Sequence, residues 1–201
     1  MNNTPLVKIK AATAAEVCVN FDLKEAKPIL REGMPPRAFL DALLANKQYL
    51  AGIDFLSHAL APRDAIWWGC LCVQHALGNG FTDQDKAACK AAVRWIFSPT
   101  EENRAAAKPP ADAAGVASPA GGLAAAATYT GGNIAPPKAP PMSPPPFAPA
   151  KAVAASVKLA TTKADPTKIS ETQKLYLELG MTLAEGRCSH TDVRGMTAMR
   201  G

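Results

Sequence analysis

The fold is decided by the stretch Ala65-Ile66-Trp67-Trp68-Gly69-Cys70-Leu71-Cys72-Val73-Gln74-His75-Ala76-Leu77, which holds two of the three tryptophans. One stripe of this segment repeats apolar residues at four-three-four spacing: Ile66, Cys70, Val73 and Leu77. The apolar surface continues around the helix through two flanking pairs, Trp67 with Leu71 and Trp68 with Cys72. A helix that is apolar on nearly every face is a buried helix. The pattern therefore predicts that this segment lies at the centre of a helical domain.

The composition favours one ordinary helical domain. The chain has 201 residues, of which 48% are hydrophobic and only 6% aromatic, and alanine is abundant. Alanine loses no side-chain entropy in a helix, so such a composition favours helices over strands. The net charge of +5 comes from basic residues scattered along the chain. A nucleic-acid-binding protein normally concentrates its basic residues on one face, so no nucleic-acid partner is predicted.

Cysteine usage and the N-terminal segment indicate a cytoplasmic protein. The five cysteines are odd in number and lack the spacing of a disulfide framework: Cys18, Cys70, Cys72, Cys89 and Cys188. Buried free thiols in a reducing compartment explain them better. The first ten residues lack the basic and apolar regions of a signal peptide. No apolar stretch approaches the ~20 residues that span a bilayer, so membrane insertion is not expected.

Prolines and capping signals divide the first half of the chain into consecutive helices. Thr13-Ala14-Ala15-Glu16 and Ser98-Pro99-Thr100-Glu101 match the capping box. Pro35-Pro36, Pro62 and Thr82 mark three further helix starts. Short connections between such helices predict an all-α fold, either a helical bundle or a short solenoid-like stack.

The second half contains a proline-rich strap. Ser118-Pro119 starts an alanine-rich helix that ends at Tyr129, and the prolines between residues 136 and 147 favour extended polyproline II. Helices return at about 151–161 and after Asp165-Pro166, the last ending at Gly186. The predicted organisation is an N-terminal extension (1–12), one helical domain (13–186) with the strap at 134–149 inside it, and a flexible C-terminal tail (187–201).

The sequence offers no convincing catalytic, cofactor or metal site. Cys72 and His75 are three residues apart but lack the paired short spacings of a structural zinc site. No Gly-x-Ser-x-Gly elbow is present. His58, four residues after Asp54, is typical of an exposed side-chain pair. The carboxylates of Glu101 and Glu102 are explained by the dipole of the helix that they begin.

The strap has three possible uses. Ile134, Met142 and Phe147 punctuate it and could dock onto the helices, in which case Phe147→Ala would cost about 2–4 kcal/mol. It could instead be a solvated linker, or a Pro-x-x-P type ligand for a partner. The docked strap is the favoured interpretation. The last helix has an apolar seam that could close the domain or pair with another chain, and closure is favoured.

Four segments carry a family resemblance: Leu60–Cys70, Ala92–Trp95 running into Pro99–Ala106, Ser118-Pro119-Ala120, and Tyr129–Pro137. The core signature within them is Trp67, Trp68, Cys70 and Trp95. From about residue 55 to 183 the chain resembles an uncharacterised family of small proteobacterial proteins often encoded with type VI secretion genes. The resemblance implies that the strap belongs to one domain and that the protein has a cytoplasmic accessory or regulatory role in a contractile secretion apparatus. It implies no catalytic residue.

These observations lead to a functional hypothesis with two alternatives. The protein is expected to be a non-enzymatic accessory that binds a type VI secretion component or effector. One alternative is an enzyme, or a protein that binds a small molecule or metal, with a pocket near Trp68, Cys72 and His75. The other is an effector chaperone or an immunity protein. The identity of the partner and the oligomeric state stay open.

Overall fold

The computed structural model describes residues 4–115, 117–135, 138–163, 165–188 and 190, and this part of the chain is helical without a β-strand. The prediction of an all-α, single-domain fold is confirmed. Its α-helices are α1 (Ala14–Cys18), α2 (Pro36–Ala45), α3 (Tyr49–Ala59), α4 (Pro62–Leu77), α5 (Asp83–Phe97), α6 (Glu101–Ala106), α7 (Lys108–Ala114), α8 (Pro119–Thr128), α9 (Ala148–Lys163) and α10 (Ile169–Ala184). Short 3-10 helices cover Lys24–Ile29 and Pro166–Lys168.

Most of the predicted capping residues begin helices. The Thr82 hydroxyl accepts a hydrogen bond from the backbone N–H of Asp85 at 3.1 Å, and the Glu16 carboxylate accepts one from the backbone N–H of Thr13 at 3.2 Å. The box predicted at Ser98 is wrong by two residues, since Thr100 caps α6 instead. The Glu101 carboxylate binds Arg104 with both oxygens, so it does not reach back to Ser98.

Helix α4 lies at the centre, as its sequence predicts. Trp67, Trp68 and Cys70 are all buried, and so is Trp95 of α5. Each indole N–H of α4 has a partner: Trp67 donates to the carbonyl of Cys188 at 2.8 Å, and Trp68 donates to the carbonyl of Tyr176 at 2.9 Å. The large rings therefore fill the core without leaving a buried donor unpaired.

Helix α8 is a second central helix, and its burial was not predicted. All ten of its residues are buried, although Leu123 is its largest side chain. A Cβ atom added at Gly121 would lie 2.2 Å from the carbonyl oxygen of Gly115. Only glycine permits this approach of the α7–α8 connection to α8.

The helices form a bundle rather than a stack. In a solenoid each unit contacts only its sequence neighbours. Helix α9 instead packs against α3, α4 and α8, and one hydrophobic core extends from α1 to α10. Tyr176, Leu177 and Leu183 of α10 are fully buried, so the seam of this helix closes the domain. Within the described residues, no helix has both the length and the apolar character needed to cross a bilayer.

The two segments expected to lie outside the domain are attached to it. The backbone N–H of Lys8 donates to the carbonyl of Ala184 at 3.0 Å, and the Lys8 ammonium pairs with Asp64 at 2.5 Å. At the other end, His190 is only 8% exposed and its ring lies 6.1 Å from that of Phe97. The N-terminal extension is therefore attached to the domain at Lys8, and the tail is packed at His190. The flexible tail was predicted for 187–201, and its residues 189 and 191–201 lie outside the described residues.

Candidate functional site

The strap (residues 134–149) has a fixed base. The backbone N–H of Ile134 donates to the carbonyl of Met142 at 2.9 Å. The side-chain oxygen of Asn133 accepts from the backbone N–H of Ala135 at 3.0 Å and from that of Met142 at 2.8 Å. These bonds close a loop from 134 to 142, while the polyproline predicted at Pro136 and Pro137 lies outside the described residues. The described residues at the base of the strap are therefore fixed to one another around Asn133.

The predicted docking residues of the strap differ in their burial. Ile134 is half-buried, whereas Met142 is 57% exposed and Phe147 is 45% exposed. Ile134 is thus packed, as the favoured interpretation of a docked strap predicts, whereas Met142 is not. The predicted loss of about 2–4 kcal/mol in the free energy of unfolding for Phe147→Ala assumed a buried ring. Almost half of the Phe147 side chain is in solvent, so this assumption does not hold.

Phe147 lies in an aromatic cluster with Phe21 and His58. Its ring centroid is 6.0 Å from that of His58, and the His58 ring stacks on Phe21 at 4.9 Å. The backbone at Phe147 has a φ of +59°, which turns the chain from the strap into α9. The cluster joins three segments that are distant in the sequence, and sequence reasoning did not connect them.

The hydrogen bonds of His58 define its tautomer. Its Nδ1 lies 2.8 Å from the backbone carbonyl of Asp54, and a carbonyl only accepts, so Nδ1 carries the proton. Nε2 is buried without a hydrogen-bond partner in the described part of the chain. Burial lowers the pKa of His58 below its ordinary value. The prediction that His58 and Asp54 form an exposed side-chain pair is wrong, because the Asp54 carboxylate binds the Lys158 ammonium at 2.5 and 2.6 Å instead.

A buried arginine anchors the base of the strap. Arg104 is 5% exposed, and it donates to the carbonyl of Thr128 at 2.7 Å and to that of Asn133 at 3.4 Å. Its hydrogen bonds to Glu101 raise the pKa of Arg104 and lower the pKa of Glu101. Gly132 has a φ of +68°, and a Cβ there would lie 2.5 Å from the Arg104 guanidinium. Glu101 thus has a structural partner that the helix dipole alone did not predict.

Two of the three residues named for the alternative pocket lie in the core. Trp68 and Cys72 are fully buried, and His75, which is exposed, places Nδ1 3.0 Å from the hydroxyl of Tyr176. Burial raises the pKa of the Cys72 thiol well above its ordinary value. The structure therefore brings Cys72, His75 and Tyr176 together, but it leaves the thiol protonated and shielded from solvent.

The other thiols and acids form no metal site in the described part of the chain. Burial raises the pKa of Cys18 to about 11 and that of Cys89 to about 12. No cluster of three or more histidine, cysteine, aspartate or glutamate side chains there could hold an ion.

Sequence reasoning missed a groove between α5 and the pair α6–α7. Its volume is about 600 Å³, and its lining includes Lys90, Arg94 and Phe97. The only signal for it was the four-residue spacing of basic residues on α5: Lys86, Lys90 and Arg94. Because these residues are few, nothing in the sequence separates them from the other scattered cations.

Comparison with known proteins identifies a family whose function is unknown. A family model described as "Family of unknown function (DUF6931)" matches residues 39–184. No curated protein and no solved structure matches the chain. The resemblance to an uncharacterised family is thereby confirmed, and the match begins 16 residues before the residue 55 at which the resemblance was placed.

Proposed function

The chain belongs to the DUF6931 family, and from that premise we propose that it is a non-enzymatic accessory protein that binds another protein through its strap. The observation that carries this proposal is the fixed base of the strap beside the exposed Met142. Three hydrogen bonds fix the strap around Asn133, while Met142 points apolar surface outward and is 57% exposed. A segment whose base is already fixed loses less conformational entropy when a partner covers it than a free segment does.

The interior supports a binding role over a catalytic one. The thiols of Cys70 and Cys72 are fully buried with strongly raised pKa values, so they are protonated near neutral pH and out of reach of substrate. The exposed chemistry of the strap is instead apolar and proline-rich, which is the chemistry that protein partners recognise in extended segments.

The partner we propose is a component or an effector of a type VI secretion apparatus, met in the cytoplasm. The support for this assignment is the sequence resemblance carried by Trp67, Trp68, Cys70 and Trp95 together with the segment from Tyr129 onward. If the partner is an effector, the protein acts as its chaperone or as an immunity protein.

Co-purification from cells that carry the native gene neighbourhood tests the proposal. The wild-type chain should recover a stoichiometric protein partner, and the double variant Met142→Ala with Phe147→Ala should recover at least about tenfold less. Leu175→Ala is the matched control, because Leu175 is 45% exposed like Phe147 but lies on α10. Absence of any stoichiometric partner, or equal recovery by the strap variant, would overturn the proposal.

A further inference from the structure

The groove between α5 and α6–α7 combines an apolar floor with unbalanced positive charge. Six of its nine lining residues are apolar: Ala87, Ala91, Val93, Phe97, Ala106 and Pro110. The other three are Lys90, Arg94 and Asn103, so no carboxylate of the described residues lines the groove. Small alanines beside a half-buried Phe97 leave room for the side chains of a bound segment.

The cations form a row along α5. Lys86, Lys90 and Arg94 are four residues apart, which places them on one face of the helix over ~12 Å. Lys86 has a nearby acid, Asp83, at 3.3 Å. The side chains of Lys90 and Arg94 are exposed and form no ion pair or hydrogen bond within the described residues. Two positive charges at the groove are therefore available to a ligand.

In a neighbouring cavity, two of the lining cations are paired with acids of the chain itself. It has a volume of about 500 Å³, and its lining contains three cations, Arg104, Lys108 and Lys138. There Arg104 pairs with Glu101 at 2.6 Å, and Lys108 pairs with Asp112 at 3.1 Å. The cations of the larger groove have no such acids, so an external acidic group would fill that role.

We propose that this groove binds an acidic, partly apolar peptide segment of the protein partner, an inference that rests on the proposed function. The acidic side chains would face the row Lys86, Lys90 and Arg94, and the apolar ones would contact Phe97 and the alanines. A nucleic acid fits less well, because six apolar lining residues offer nothing to a phosphate backbone. The chain's own residues 191–201 fit less well too, since Asp192 is outnumbered there by Arg194 and Arg200.

A peptide-binding experiment tests the chemistry directly. The probe is a fluorescein-labelled 12-residue peptide with glutamates at four-residue spacing and leucines beside them, and its comparison has glutamine in place of glutamate. Fluorescence anisotropy should show at least about tenfold tighter binding of the glutamate peptide, lost in 0.5 M salt because screening weakens exposed charge pairs. Equal binding of both peptides would overturn the proposal, and so would tighter binding of a single-stranded 12-mer oligonucleotide.

Charge-reversal variants locate the binding. Lys90→Glu with Arg94→Glu should weaken the glutamate peptide at least about tenfold, and the milder Lys90→Gln with Arg94→Gln should weaken it less. The matched control is Lys27→Glu with Arg31→Glu, which reverses the same two residue types, also exposed and four residues apart. Circular dichroism melts confirm that each variant is folded. Unchanged affinity in the groove variants, or an equal loss in the control, would contradict the proposed site.

Photocrosslinking in cells separates this inference from the proposed function. p-Benzoylphenylalanine placed at Ala91 should crosslink to an acidic segment of a partner, and the same group at Met142 reports on the strap. A crosslink from Ala91 to residues 191–201, to a second copy or to nucleic acid would overturn the groove proposal. Crosslinks from Met142 alone would overturn the groove while supporting the strap, and no crosslink from either position would overturn both.

Discussion

The two central helices, α4 and α8, are buried by opposite means. Helix α4 fills space with Trp67 and Trp68, whose indole N–H groups reach distant carbonyls. Helix α8 is all buried with Leu123 as its largest side chain. Its small residues let α5, α7, α9 and α4 approach it closely. Helix α4 is thus buried because large side chains fill the space around it, and α8 because small side chains leave little space between it and its neighbours.

This difference predicts different sensitivities to mutation. A helix that fills space loses most when a large side chain is removed, because a cavity remains. A helix that permits close approach loses most when atoms are added. The following predictions compare the two helices, from the largest expected effect to the smallest.

Trp68→Ala should reduce the free energy of unfolding by about 3–5 kcal/mol in urea titrations. The substitution removes the largest fully buried side chain and the indole donor that binds the carbonyl of Tyr176. Trp68→Phe, which keeps an aromatic ring, should cost less. A loss below about 1 kcal/mol in Trp68→Ala would show that α4 is not the filled centre of the core.

Gly121→Ala should reduce the free energy of unfolding by about 1–3 kcal/mol, although alanine is the better helix former. The new Cβ would lie 2.2 Å from a backbone oxygen, which cannot rotate away. Gly131→Ala is the control, since a Cβ there has no atom within 4 Å. If Gly121→Ala were stabilising in the same titration, the α7–α8 connection could not lie as close to α8 as described.

Ser118→Ala should cost about 0.5–2 kcal/mol, measured by thermal or urea unfolding. The Ser118 hydroxyl accepts from the backbone N–H groups of Ala120 and Gly121 and donates to Asp85 at 2.5 Å. Helix α4 has no side-chain cap at its start, so this contribution to stability distinguishes α8 from α4. Ser143→Ala, at an exposed strap position, should change stability by less than the cap variant.

The same cap predicts a small pH dependence. Burial opposes the ionised form of Asp85, but hydrogen bonds from Ser118 and Thr82 outweigh it, so the pKa of Asp85 in the folded protein is lowered. Its contribution to stability is therefore present above the unfolded pKa near 4 and is lost as the pH falls through the folded value. The stability difference between wild type and Ser118→Ala should narrow below about pH 4. A difference that stays constant from pH 7 to 3 would contradict the role of Asp85.

The sequence predicted the helices well because local rules define them. Thr82, Pro62 and Ser118 lie at helix starts as expected, and the alanine-rich helix ends at Thr128, one residue before its predicted end. The burial of α8 could not be predicted in this way, because an alanine-rich pattern is equally typical of an exposed helix.

The site was less predictable than the fold because its contacts are long-range. Residues Ile134, Met142 and Phe147 were recognised as unusual, but their different burial depends on where Arg104 and Asn133 fix the loop. The aromatic cluster needs Phe21, His58 and Phe147 to meet across more than 120 residues. No local pattern specifies such a meeting.

The partners of the two α4 tryptophans also set the time at which the protein can finish folding. The carbonyls that accept from Trp67 and Trp68 lie 121 and 108 residues further along the chain. A ribosome adds ~5–20 residues per second, so these acceptors emerge roughly 5–24 s after the tryptophans are made. During that interval the apolar α4 segment lacks its native cover and is a target for chaperones. A bundle whose centre depends on such distant contacts is expected to fold more slowly than one built from neighbouring helices.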